Sequence, residues 1–214
     1  MPREASLQKP ASEKWSLPAT QERSRATRER LLRAAETVFA EKGYDGAHLA
    51  DIAKEAGCSV GAVYFRFKDK SALFSAIAES FVEEARIGLA TLIEGRAGKP
   101  EQVLRLFVTA SAANFRRHRG LFRAIVERGI EHPHAMRTIF LFRDELAKTL
   151  QRVLAETSKA ADELSVRVIT QMVYGFLLAG VLNRHAPTNV DDPRAITALA
   201  DACVAYFRSG RKAA

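Results

Sequence analysis

Cysteine is scarce in this chain. Only Cys58 and Cys203 occur in 214 residues, far apart and in no spacing that suits a metal site or a disulfide framework. That excludes a stapled secreted fold and a cysteine-zinc module, and it points to the reducing cytoplasm. A sustained apolar–polar alternation is also missing, so strands are not expected. The N-terminus lacks the apolar stretch of a signal peptide. The most apolar run, Val168 to Leu182 around Gln171, falls short of the ~20 residues a bilayer crossing takes, so no membrane partner is expected. There is no phosphate-cradling glycine loop and no serine or cysteine nucleophile beside a plausible base. His132-Pro133-His134 next to Glu131 is the only local group of ligand-type residues. Its proline removes the i, i+4 register of a helical zinc site, so it reads as surface turn. No catalysis, metal or cofactor is expected.

Basic charge is in excess, with 33 Lys and Arg against 25 Asp and Glu and a net charge of +8. Its location matters more than its sum. Residues 21–80 carry ten basic and nine acidic side chains, whereas residues after 80 carry twenty and fourteen. Total charge therefore does not mark a nucleic-acid site; local placement has to.

What the chain does contain is helical periodicity, with 47% hydrophobic residues to build a core. Residues 1–24 are polar, hold Pro2, Pro10, Pro18 and the lone Trp15, and read as a flexible tail. Its Arg3, Lys9, Lys14 and Arg23, followed by Arg25, make it either a solvated leader or an arm along DNA. A first helix is expected over Thr27–Lys42, where Leu31, Leu32, Ala35, Val38 and Phe39 form a stripe that stops at Gly43. Further helices are expected from Lys70 to about Ile93, Glu101 to Arg117, Leu121 to Glu131, His134 to Glu156, Asp162 to His185 and Pro193 to Arg208, with a loop at Gly95–Pro100.

Residues 49–74, LADIAKEAGCSVGAVYFRFKDKSALF, carry the strongest signal. Ile52, Ala53 and Ala56 form one apolar face. Gly57 then ends a helix and Ser59 can cap the next. Val60 to Phe67 makes a second short helix with Val63 and Phe67 turned inward, and Asp69 can cap the helix from Lys70. This is the layout of a helix-turn-helix, whose second helix enters a DNA major groove.

With its flanks the segment resembles the DNA-binding domain of the tetracycline-repressor (TetR/AcrR) family. The matching pieces are Ala35, Phe39, Gly43 and Tyr44, then Ile52 to Gly57, Ser59 to Tyr64 and Phe67 to Leu73, in order and spacing over roughly a quarter of the chain. The resemblance implies an all-α protein with a helix-turn-helix domain at 25–70 and an effector-binding and dimerisation domain at 71–214. Val60, Gly61, Ala62, Tyr64 and Phe65 would face the groove, with Ser59, Arg66 and Lys68 beside them. Tyr64 and Lys70 would hold phosphates. Arg66 stands where the family often has histidine, and would take a phosphate or a guanine edge. His48 replaces a capping threonine and would cap or meet a phosphate. Packed aromatics and solvated charges are the plainer account of the same residues.

The resemblance further implies a palindromic double-stranded operator, a homodimer through the last two helices and a small-molecule effector of unknown identity. Met172, Val173, Phe176, Leu177, Val181 and Leu182 form one broad apolar face, with Gly175 and Gly180. Ile196, Leu199, Ala200, Cys203, Val204 and Phe207 form another; both are read as the dimer's four-helix bundle. Effector-cavity candidates are Phe107, Phe115, Phe122, Met136, Phe140, Phe142, Met172, Tyr174 and Phe176, with ordinary core packing as the alternative. Arg116, Arg117, His118, Arg119 and Arg123 read as a solvated helix end or an anion-attracting cluster. The implied function is a cytoplasmic transcriptional repressor released by its effector. A helical interaction protein with vestigial DNA binding, or an effector-independent DNA-binding protein, are the alternatives.

Overall fold

The computed structural model describes residues 16–94, 99–156, 158, 161–182 and 188–213. All regular structure among them is helical: α1 Ser16–Gly46, α2 Leu49–Glu55, α3 Val60–Tyr64, α4 Lys70–Glu94, α5 Pro100–Arg117, α6 Arg119–Arg128, a 3-10 turn Gly129–Glu131, α7 Pro133–Ala155, α8 Glu163–Leu182 and α9 Pro193–Ala213. The all-α expectation holds.

The first helix departs most from expectation. It begins at Ser16 rather than Thr27, taking up residues 16–24 that were read as tail. That stretch has no apolar stripe, so periodicity is silent there. What forms it is composition: Ala19, Gln21, Glu22, Arg23, Arg25 and Ala26 are good helix formers. An Arg25–Glu29 pair at 3.0 Å and the Thr27 hydroxyl donating to the Arg23 carbonyl at 2.8 Å support successive turns. Trp15 and the basic residues Arg3, Lys9 and Lys14 lie outside the described residues, as do 95–98 of the expected loop and 183–185 of the expected helix end.

Gly43 breaks α1 with φ 72 and ψ 175. A side chain there would be strained by the positive φ, and its Cβ would stand 2.6 Å from the Glu127 carboxylate. Glycine is therefore required by the backbone conformation, and a side chain there would also have to displace the Glu127 carboxylate.

One continuous core runs from the N-terminal helices into the larger bundle. Leu31, Ala35, Phe39, Ile52, Val63, Leu73 and Phe74 fill the N-terminal part, and Phe122, Leu121, Leu104, Ile169, Leu177 and Phe207 fill the rest. Helix α1 makes its most extensive contact with α6, α4 lies against α7, and α9 lies against α5 and α8. At Gly120 the contact between α6 and α1 is so close that an added Cβ would fall 2.0 Å from the Glu36 carbonyl oxygen.

Helix α8 is long and apolar enough, by length and composition, to cross a membrane, which the shorter run read from sequence did not anticipate. Its Val166, Ile169, Val173 and Leu177 are nevertheless buried in this chain's core. It is a core helix with a second apolar face. The α9 stripe corrects the expectation for the dimer surface: Ile196, Leu199, Ala200, Cys203, Val204 and Phe207 are all buried within the protomer. Packing against α5 and α8 consumes that face, and α9 exposes Ala198, Ala202 and Ala205 instead.

Candidate nucleic-acid interface and effector cavity

Local chemistry builds the helix-turn-helix. The Asp51 carboxylate accepts the His48 N–H at 3.3 Å, so the acidic residue at the third helical position caps α2 while the His48 imidazole stays exposed. Gly57 ends α2 with φ 63. Around it, the Gly57 N–H donates to the Lys54 carbonyl at 3.1 Å and the Cys58 N–H to the Ala53 carbonyl at 2.9 Å, the bond pair of a Schellman turn. Ser59 Oγ then accepts the Ala62 N–H at 3.2 Å and starts α3. Asp69 caps α4 through its Oδ1, which accepts the Ala72 N–H at 2.8 Å.

These caps orient one side chain in and a ridge out. Val63 is fully buried, while Tyr64 is 57% and Phe65 85% exposed. Ser59, Val60, Gly61 and Lys68 are exposed beside them, and Ala62 and Arg66 are half-buried. Arg66 lies over the Phe65 ring, 5.6 Å from its centroid, and its Nη1 donates to the Ala62 carbonyl at 3.3 Å. Its Nε is buried without a partner among the described residues. Of the residues expected to meet DNA, His48, Ser59, Val60, Gly61, Tyr64, Phe65 and Lys68 are thus open to solvent, and Ala62 and Arg66 partly so.

Lys70 is placed differently. Its Nζ donates to the carbonyls of Tyr44 at 2.7 Å, Ala47 at 3.1 Å and Asp45 at 3.5 Å, and it sits 4.4 Å over the Tyr44 ring. The ammonium ties the N-terminus of α4 to the turn between α1 and α2. In this arrangement it satisfies carbonyl oxygens at a helix end rather than projecting to solvent.

The same turn is gripped from the other side by α6. Arg123 donates to the Ala40 carbonyl at 2.7 Å, Glu127 accepts the Tyr44 N–H at 2.7 Å, and Arg128 pairs with Asp45 at 2.8 Å. The Arg128 hydrogen bond holds the Asp45 carboxyl below the usual range. Burial, with Asp69, Asp45 and Glu131 nearby, pushes the Tyr44 phenol up to about 12. His132, expected from its neighbours in sequence to be a surface turn residue, is instead a packing element. Its ring lies 4.6 Å from Tyr44 and 5.2 Å from Phe74, and its Nδ1 is 3.0 Å from the Ser71 hydroxyl. Sequence spacing could not show this joint, because its members are up to 88 positions apart.

The basic cluster near residue 118 is largely neutralised in place. Arg117 pairs with Glu84 at 3.1 Å, Arg119 with Asp191 at 3.0 Å, and the buried His118 with Glu36 at 2.8 Å. Such pairing argues against an anion site there.

Inside the larger bundle lies a chamber of about 50 Å³ walled by Phe81, Phe107, Phe115, Ile139, Phe142, Val173 and Tyr174, with Ser111, Asn114, Thr170 and Arg143. Of the sequence candidates, Phe107, Phe115, Phe142 and Tyr174 meet there. Phe122 stands one layer back, stacked on Phe115 at 3.8 Å and fully buried. Met136 fills the space over Gly129. Phe140 faces solvent because it follows Ile139, which takes the inward position on α7. Met172 and Phe176 do not line the chamber; they are half-buried, since Val173 and Leu177 occupy the α8 core face. Phe81, on α4, was missed. It touches Phe122 at 5.3 Å, Phe142 at 6.0 Å and His118 at 5.2 Å, and its signal in the sequence was only that of ordinary core.

Comparison with known proteins accords with the geometry. Residues 31–77 match the family described as bacterial regulatory proteins, tetR family. The regulator AcrR of Shigella flexneri is 42% identical over 69 residues, 32% of this chain and 31% of that protein. The repressor KstR2 of Mycolicibacterium smegmatis is 31% identical over 128 residues, 60% of this chain and 54% of that one. The chain thus spans between about a third and a half of the length of these curated relatives. A solved transcriptional regulator from Rhodococcus sp. superposes with a TM-score of 0.68 at 24% identity, covering 86% of this chain and 96% of the other. That last likeness concerns the fold.

Proposed function

We propose, from the match of residues 31–77 to the tetR family of bacterial regulatory proteins, that the chain is a member of that family and a cytoplasmic transcriptional repressor released from a palindromic operator by a small molecule. Residues 25–70 form the DNA-binding unit and 71–214 the effector-binding and dimerisation unit in this reading. The observation that carries it is the ridge from Ser59 to Phe65, exposed beside Lys68 and backed by the fully buried Val63. Val60 and Ala62 offer thymine methyls an apolar contact, Tyr64 reaches a phosphate, and Arg66 supplies spare guanidinium donors to a phosphate or guanine. Lys70 acts from beneath, holding the α1–α2 turn while the α4 N-terminus faces the backbone.

A second copy of the chain seats on the outer face of α8, where Leu164 is 69% exposed and Gly175, Ala179 and Leu182 are exposed further along the helix. The small residues Ala198, Ala202 and Ala205 of α9 allow close approach alongside. Two recognition helices about 34–36 Å apart then read successive major-groove faces.

Release is a population shift. The chamber touches α4 through Phe81 and α6 through the Phe115–Phe122 stack. Both helices grip the turn at 43–47, through Lys70 and through Glu127 and Arg128. A ligand that widens the chamber displaces both grips, and a coupling of about 1–3 kcal/mol changes operator affinity severalfold to a hundredfold. A ligand of equal affinity for both conformers does nothing.

Gel shifts with the DNA upstream of the chain's own gene test the reading. Two chains per site are expected, with Tyr64→Ala weakening binding about tenfold and Lys68→Ala lowering the salt slope by about one. Lys70→Ala is expected to lower both operator affinity and melting temperature, because its ammonium is part of the fold. Unchanged affinity and salt slope in both Tyr64→Ala and Lys68→Ala sink the proposal.

A further inference from the structure

We infer that the effector is an amphipathic anion, a monocarboxylate with an alkyl or aromatic tail, its head held by Arg143 and its tail in the chamber between Phe81 and Phe115. This rests on reading that chamber as the effector site. Two compartments meet at Arg143 and Thr170. The inner one is the aromatic chamber of about 50 Å³. The outer one, about 270 Å³, is bounded by Asp144, Ala147, Arg167, Val168 and Gln171 on α7 and α8. A molecule spanning both needs an apolar part inside and a polar part outside, and the side chain at the boundary sets the sign of the polar part.

That side chain is Arg143. Its guanidinium lies over two rings, 5.2 Å from the centroid of Phe140 and 5.8 Å from that of Tyr174. Its nearest polar partner is Gln171 Oε1 at 3.5 Å, the outer limit of a hydrogen bond. Among the described residues it forms no ion pair, whereas Arg86, Arg117, Arg119, Arg123 and Arg128 each pair with a carboxylate. Arg167, the other cation of the vestibule, is taken by Glu163 at 2.8 Å. Asp144 is exposed on the outer rim, away from the inner wall. The inner polar groups are uncharged, and the Thr170 hydroxyl is already donating to the Val166 carbonyl at 2.9 Å. Among the described residues Arg143 is therefore the one ionic side chain lining the inner chamber, and its planar fork suits a carboxylate.

The inner volume is far below the roughly 300–1,000 Å³ of an occupied ligand site. The tail must move aromatic side chains to enter, and one of them is Phe81 on α4.

Calorimetric titration of the full chain with octanoate, octan-1-ol and octylamine tests the inference. Octanoate is expected to bind at least about tenfold more tightly than the alcohol, and the amine most weakly. Arg143→Gln is expected to remove the preference for octanoate without changing alcohol binding, and Arg143→Lys to restore part of it. Equal binding of acid and alcohol, tighter binding of the amine, absence of binding by all three, or a preference that survives Arg143→Gln each overturn it. Parallel gel shifts separate the two readings. Octanoate that binds without altering operator affinity upholds the ligand class and sinks effector release; release by octylamine and not by octanoate does the reverse.

Discussion

Residues 48–70 and residues 100–182 put their candidate functional side chains in opposite places. In the first region Tyr64 and Phe65 stand outside a small core, and the partner they suit is large and lies beyond the molecule. In the second, Phe107, Phe115 and Tyr174 point inward, and the partner they suit must enter. An exposed ridge needs only that its helix be started, stopped and anchored, which caps and one buried valine accomplish. An internal cavity depends on which of many apolar residues fail to meet, and that is settled by the packing of α4, α5, α7 and α8 together. Surface changes in the first region should therefore alter binding and spare stability, while changes in the second should alter both.

The largest test of that contrast is Phe122→Ala. Phe122 is fully buried and contacts Phe115, Phe81 and Tyr174. Its truncation is expected to cost about 3–5 kcal/mol in urea unfolding, against less than about 0.5 kcal/mol for Phe65→Ala on the exposed ridge. A comparable loss in both variants would erase the distinction between the regions.

Gly120→Ala probes the seam between them. An added methyl meets the Glu36 carbonyl, and overpacking of this kind is expected to lower stability by about 1–3 kcal/mol. Operator affinity should fall with it, since α6 also carries the grip on the α1–α2 turn. Wild-type stability together with wild-type operator affinity would mean that the seam transmits nothing.

The smallest effect is chemical. Cys203 is buried in the larger bundle, and burial pushes its thiol up to about 11. Cys58 is half-exposed in the helix-turn-helix turn. At pH 8 Cys203 is therefore almost wholly protonated, and the nucleophile is the thiolate. Ellman titration is expected to show one fast thiol per chain in native buffer and two in denaturant. Two fast native thiols would show that α9 opens readily.

Much of the helix-turn-helix was legible because its determinants are local. Gly57, Ser59 and Asp69 act within a few residues of their own positions, so their spacing in the chain is their spacing in space. Two features of the same region escaped. The early start of α1 arises from propensity without periodicity, and Lys70 turned out to bond backbone carbonyls at Tyr44 and Ala47, more than twenty positions away. Beyond residue 70 the positions of the helices followed their apolar stripes, yet the roles of those stripes did not. The α9 stripe serves the protomer's own core, and Phe140 faces water while Ile139 beside it points inward. A pattern of hydrophobic residues states that a face is buried without stating against what.

For this protein, then, the amino-acid order determined the helical class, the turn geometry at Gly57 and Ser59, and the likeness of residues 31–77 to the tetR family, because each follows from short-range caps and backbone preference. The three-dimensional packing alone decided the joint at 43–47, the burial of His118 beside Glu36, and the meeting of two compartments at Arg143. Those depend on side chains brought together from distant positions, where contact is set by the volume and angle of whole helices rather than by the residues between them.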